Sequence, residues 1–221
     1  MKKGIDVSHH NAEIDWTQVC KSDIDFAFAK STEGATFQDS KFLKNFQGMK
    51  ENEIDSGAFH VFRMTSTPED QAENIKKTLS GANFDYKTDK LAVSASTGIC
   101  SGGQKAKCDD PTKHTNDERA ENLQSLFTIL KQEGFEPIIY TSPSIWDKYY
   151  TQEKYNFSNY HLWDAYWTND KEPKIPNDWK LAGKSYEYWN YSNNGNVDGV
   201  SGNISLDKTN PSLPSETHDF I

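Results

Sequence analysis

The sequence predicts an α/β protein: a single irregular (β/α) barrel, with about five βα units followed by strands that carry little helix. Three observations lead there. Short apolar runs alternate with longer polar stretches of helical character, and strand-then-helix repetition implies a parallel sheet covered by helices. The chain has 221 residues, enough for one large domain, and neither a linker nor an internal repeat divides it. Past about residue 160 the strands continue but the helical stretches thin out.

The elements follow in order. Gly4 to Ser8 reads as the first strand, and Asp15 caps a short helix through Lys21. Phe26 to Ser31 is the second strand, Lys41 to Asn52 a helix, and Gly57 to Arg63 (GAFHVFR) the third strand. Ser66-Thr67-Pro68-Glu69 opens a helix to about Leu79, with proline in the first turn, where a missing N–H costs nothing. Leu91 to Ser96 is the fourth strand. Asp117 to Glu133 places Leu123, Phe127 and Leu130 on one helical face, and Gly134 ends it. Pro137 to Thr141 is the fifth strand and Pro143 to Tyr150 a short helix. Tyr160 to Trp167 and Tyr186 to Ser192 are further strands, with a last one at Asn203 to Leu206. The domain is expected to span residues 1–210, with 211–221 as a tail.

Composition narrows the function. The net charge is -9, from 33 acidic and 24 basic side chains, which disfavours nucleic acid as a partner because phosphate backbones need a basic face. No apolar run is long enough to span a bilayer. Aromatic residues make up 13% of the chain, and rings with carboxylates suit a carbohydrate-active protein. Cys100 and Cys108 bracket a Gly/Lys-rich stretch, ICSGGQKAKCDDP, and a local disulfide is one reading of it. With only His114 nearby, the pair lacks zinc spacing. Cys20 falls in a helical pattern as a buried thiol. His9, His10 and His60 are weak metal candidates, since adjacent histidines in an extended chain point apart. No metal or cofactor is expected. The opening MKKGIDVSHH has no apolar h-region and does not read as a signal peptide.

Several segments together resemble the family 25 glycoside hydrolases, the Chalaropsis-type lysozymes that cut peptidoglycan. They are Gly4-Ile5-Asp6-Val7-Ser8-His9-His10-Asn11 with Ile14-Asp15-Trp16, then Lys30-Ser31-Thr32-Glu33-Gly34 with Thr36-Phe37 and Asp39. Gly57-Ala58-Phe59-His60, Gln71-Ala72, Pro137 to Ser142, Leu162-Trp163 with Ala165, and Trp189-Asn190-Tyr191 follow. Asn196-Val197-Asp198-Gly199-Val200 with Gly202 closes the series. The resemblance covers roughly residues 3–210. It implies a TIM-like barrel, a sugar cleft at the strand C-termini and secretion, with a leader already removed or another route of export. In such barrels the strand C-termini line the active face.

The sequence departs from the family where the chemistry resides. The resemblance implies an Asp-x-Glu pair on the fourth strand, with both acids on one face because side chains at i and i+2 of a strand point the same way. This strand reads Leu91-Ala92-Val93-Ser94-Ala95-Ser96-Thr97, with Ser94 and Ser96 at the acid positions. The closing Val-Asp-Leu-Asn is matched by Ile204-Ser205-Leu206-Asp207, so Ser205 replaces another acid. Asp6 alone then survives of four cleft carboxylates. A serine hydroxyl is far too weak an acid to protonate a leaving group, and it stabilises no cation as a carboxylate does.

The expected function is therefore a lysozyme-like protein, catalytically lost or weakened, that binds peptidoglycan-type amino-sugar glycan or a protein partner through the old cleft as a monomer. The alternative is an active muramidase using Asp6 with a relocated second acid, Glu33 or Asp164. By alternation, however, Asp164 shares a face with Leu162 and not with Trp163, and Glu33 has Lys30 and Arg63 as ion-pair partners. A third reading is an interaction protein, whose acidic surface or Lys105, Lys107 and Lys113 meet a partner. Expected substrate-binding residues are Glu33, His60, Phe62, Tyr140, Trp163, Tyr166, Trp189 and Tyr191, with Trp167 among the candidate rings; strand alternation requires some of these rings to be core.

Overall fold

The computed structural model of the chain describes residues 1–97, 110 and 112–212. The strands are β1 (Lys3–Val7), β2 (Phe26–Glu33), β3 (Phe37–Gln38), β4 (Asp55–Val61), β5 (Lys90–Ser94), β6 (Pro137–Thr141), β7 (Leu162–Ala165), β8 (Tyr188–Gly195) and β9 (Ile204–Thr209). The helices are α1 (Trp16–Val19), α2 (Phe42–Glu51), α3 (Pro68–Ser80), α4 (Asn116–Gln132), α5 (Pro143–Tyr149) and α6 (Asn177–Leu181). All strands but β3 form a closed barrel, sealed by parallel pairing of β1 with β2. The fold is the irregular (β/α) barrel that the sequence predicts.

The helices form where the sequence caps them. Thr67 accepts from the N–H of Asp70 at the start of α3, and Pro68 fills the first helical turn. Thr115 and Glu118 make a capping box on α4, satisfying two backbone donors reciprocally. The second half is irregular for a reason of chain length. Only residues 196–203 join β8 to β9, too few for the crossover that a parallel pair needs. So β9 turns back and lies antiparallel between β8 and β1. Two of these strands and helices were not expected from the sequence. β3 is a two-residue flap on β2, and α6 is a single turn anchored by Trp179, both too short for a periodic signal.

Alternation along the strands divides the core into two shells. Ile5, Val7, Ala27, Ala29, Leu91, Val93 and Leu162 face outward and pack with helix residues such as Phe46, Ile75, Leu123 and Phe127. Phe26, Phe28, Phe59, Ala92, Ile138, Trp163 and Tyr188 face inward and fill the barrel. Trp163 stacks between Phe28 and Tyr140, with ring centroids 4.4 and 4.0 Å away. Gly4 and Gly57 make this filling possible. A Cβ on either would lie 2.3 Å from the Phe26 or Phe28 ring, respectively. Cys20 ends α1 half-buried, with its thiol donating to the Thr17 carbonyl, and so is less enclosed than expected. Cys100 and Cys108 lie outside the described residues, as do Lys105 and Lys107.

Candidate functional site

The parallel strands end together at one mouth of the barrel. Asp6 of β1 pairs across the sheet with Ser205 of β9, which hydrogen-bonds the Asp6 carboxylate. Asn190 enters from β8 and organises the site. Its Nδ2 donates to Asp6 Oδ2 at 2.8 Å and to Asp207 Oδ1 at 3.2 Å, while its Oδ1 accepts from Trp167 Nε1 at 2.7 Å. Asp207 also accepts from Trp163 Nε1 at 2.8 Å and is fully buried beneath Asp6. Trp167 is 59% exposed, so its indole presents a broad ring surface beside the acids while its N–H ties it to the barrel wall.

The acids form a coupled pair. Burial is the main force raising the pKa of Asp6 to about 6, partly offset by hydrogen bonds from Ser205, Asp207 and Asn190. Asp207 is raised well above the usual carboxylate range by burial, then by the charge of Asp6. With both ionised, Asp207 Oδ2 would face no donor. One proton held on Asp207 and donated to Asp6 satisfies it, the arrangement that adjacent carboxyls adopt when both cannot ionise. Burial likewise pushes the Tyr140 phenol well up, assisted by the nearby acids Asp6, Asp207 and Asp164.

The fourth-strand positions carry no acid. Ser94 is buried at the end of β5, on the inward face it shares with Ala92, and Ser96 lies just beyond the strand. Glu33 is at the rim, but its two oxygens are taken by Lys30 (2.6 Å) and Arg63 (2.7 Å). Burial would raise its pKa; these two cations outweigh that and hold it below the ordinary value. Asp164 faces the outer shell with Leu162, away from the mouth. Both its oxygens are buried without a hydrogen-bond partner among the described residues, and burial raises its pKa to about 8.

Four of the expected substrate-binding side chains do not reach solvent at the mouth. His60 points outward from β4, bonded by Thr32 (2.7 Å) and Gln71 (3.0 Å), and burial lowers its pKa to about 4. Phe62 and Trp189 belong to the outer core shell, and Trp189 donates to the Tyr166 carbonyl at 2.7 Å. Trp163 does face inward, but it is fully buried and stacked on Tyr140. The physical cause is alternation: neighbours of an inward residue must point at the helices. Tyr140 and Tyr166 remain half-buried near the mouth, and Tyr191 packs half-buried against the outer shell beside Lys208. His9 bonds Asp39 at 2.6 Å and lies against Phe37 rather than joining His60.

The sequence reading missed two residues. Asp207 is a second inward-facing acid near Asp6, at the position where the resemblance has Asn. Inward alternation from Ser205 to Asp207 was the available signal. Asn190 stood between two rings taken for a platform, and its own opposite phase marked it as the inward residue.

The sequence model of Glycosyl hydrolases family 25 matches residues 5–200. The chain belongs to this family. An uncharacterized protein of Escherichia coli O6:H1, YegX, is 27% identical over 99% of this chain and 72% of its own length. The autolytic lysozyme of Clostridium acetobutylicum is 26% identical over 93% of this chain and 55% of its own length. Among solved structures, a bacterial lysozyme from Streptomyces coelicolor superposes with a TM-score of 0.78 at 23% identity, covering 95% of this chain and 92% of that one. This family 25 chain thus shares the barrel of that lysozyme.

Proposed function

We propose that this family 25 protein holds an amino-sugar glycan of the peptidoglycan type in its cleft without cleaving it, and that it works outside the cell. One observation carries the reading: among the described residues, Asp6 is the sole carboxylate at the mouth that is open to a substrate and not locked in an ion pair. Its neighbour Asp207 is sealed below it and hydrogen-bonded to the same amide. Glycosidases set two carboxyls on opposite sides of the scissile bond, roughly 5–9.5 Å apart, so that both touch the sugar. A wholly buried partner touches none.

The raised pKa of Asp6 would suit a general acid, which is the observation that favours an active enzyme. An acid alone still leaves the developing oxocarbenium charge unopposed. Tyr140, Tyr166 and the exposed Trp167 offer ring faces for sugar C–H surfaces, with Ser94, Ser96, Ser205 and Asp6 as polar partners.

The test combines sedimentation with insoluble peptidoglycan and an assay for new reducing ends. Binding without reducing ends is expected, and Trp167→Ala should weaken it by about tenfold, the loss of one well-placed ring. Reducing-end release by the unaltered protein that disappears in Asp6→Asn would overturn the reading in favour of a muramidase.

A further inference from the structure

At the opposite mouth of the barrel, where the parallel strands begin, the described residues leave an opening. A cavity of about 390 Å³ opens there, within the size range of small-molecule sites. Its inner wall is aromatic: Tyr188 meets Phe26 and Phe28 edge-on, with centroids 5.2 and 5.3 Å away. At this level β1 and β4 contribute Gly4 and Gly57, and the Phe26 and Phe28 rings lie against those glycines instead of meeting opposing side chains. The inward residue of β5 at this level is Lys90, a charged group in place of an apolar plug.

The rim has a sign. Asp55 is paired with Lys2 at 2.6 Å, and Glu187 with the His161 imidazole at 2.5 Å. Lys90 also acts on Glu187, and Lys2, Lys87 and Lys90 together outnumber the two carboxylates of the lining. This end is therefore locally cationic on a chain of net charge -9. An aromatic wall below a cationic rim selects a flat ring carrying a negative group. The ring packs edge-to-face on Phe26 and Tyr188, and the anion meets the ammonium groups where the partial burial of Lys90 reduces screening.

We propose that this N-terminal mouth is a second binding site, separate from the glycan cleft, for a small aromatic carboxylate.

The probe is 4-fluorobenzoate, followed by fluorine NMR on the full chain. Saturable binding is expected with a dissociation constant on the order of millimolar, as the atom count of so small a ligand allows. The neutral 4-fluorobenzyl alcohol should bind at least about fivefold more weakly, and so should the benzoate to Lys87→Glu. Lys44→Glu, the same charge change on α2, should leave affinity unchanged. Chitin-type oligosaccharide should not displace the probe. Absence of saturation, equal binding of the alcohol, equal loss in Lys44→Glu, or displacement by the oligosaccharide would each overturn the proposal. The last would place the probe in the glycan cleft.

Discussion

The inner and outer faces of the same barrel treat buried acids in opposite ways. Inside, Asp207 is fully buried but receives hydrogen bonds from Trp163 and Asn190 and is coupled to Asp6. Outside, Asp164 on β7 is equally inaccessible and, among the described residues, has no hydrogen-bond partner for either oxygen. The contrast shows that burial alone makes a carboxyl costly, whereas donors arranged around it turn it into a structured group. Inside, the donors come from strands that meet only because the barrel closes. Outside, Asp164 lies among Thr141 and Trp189, its lateral neighbours on β6 and β8, and is held chiefly in its neutral form.

The largest effect should come from breaking the inner arrangement. Trp163→Phe removes the indole donor to Asp207 and leaves a gap between Phe28 and Tyr140. A loss of about 3 kcal/mol is expected, measurable by urea denaturation at pH 7. A loss below about 1 kcal/mol would show that the donor does not support the pair.

Next comes the outer acid. The folded pKa of Asp164, about 8, lies above the unfolded value of 3.8. The folded state therefore holds a proton that the unfolded state releases between those values. The stabilising effect of that proton is full below about pH 4 and is lost as pH rises to about 8. Asp164→Asn mimics the protonated form. Its stability advantage should be near zero at pH 4 and grow to on the order of a few kcal/mol above pH 8. A pH-independent difference between the two proteins would contradict the assignment.

The smallest effect belongs to Glu33, an acid at the rim that is paired but only partly buried. Glu33→Gln should cost no more than about 1 kcal/mol in thermal or urea denaturation, because solvent screens the Lys30 and Arg63 bridges. A cost as large as that of Trp163→Phe would mean that the rim bridges, and not the inner donors, hold the mouth together.

Much of this was legible in the chain itself. The caps at Thr67 and Thr115, the strand at Pro137 to Thr141 and the serines at 94, 96 and 205 are local features, set by residues a few positions apart. The opposite phase of Asp164 and Trp163 was legible too, since alternation is a property of one strand. What local reading lacked was the phase of each strand relative to its neighbours. Without it, Trp189 and His60 pass for cleft residues, although both point out of the barrel interior.

Local patterning in the chain was enough for a barrel of alternating strands and helices on the family 25 scaffold, and for a fourth strand that ends in serines. Only the tertiary structure decided that Asp6, Asn190 and Asp207 meet, because they lie on three strands joined by closure of the sheet, with 184 positions separating Asp6 from Asn190. Hydrogen bonds of that span depend on strand register, and register is fixed when the whole barrel packs.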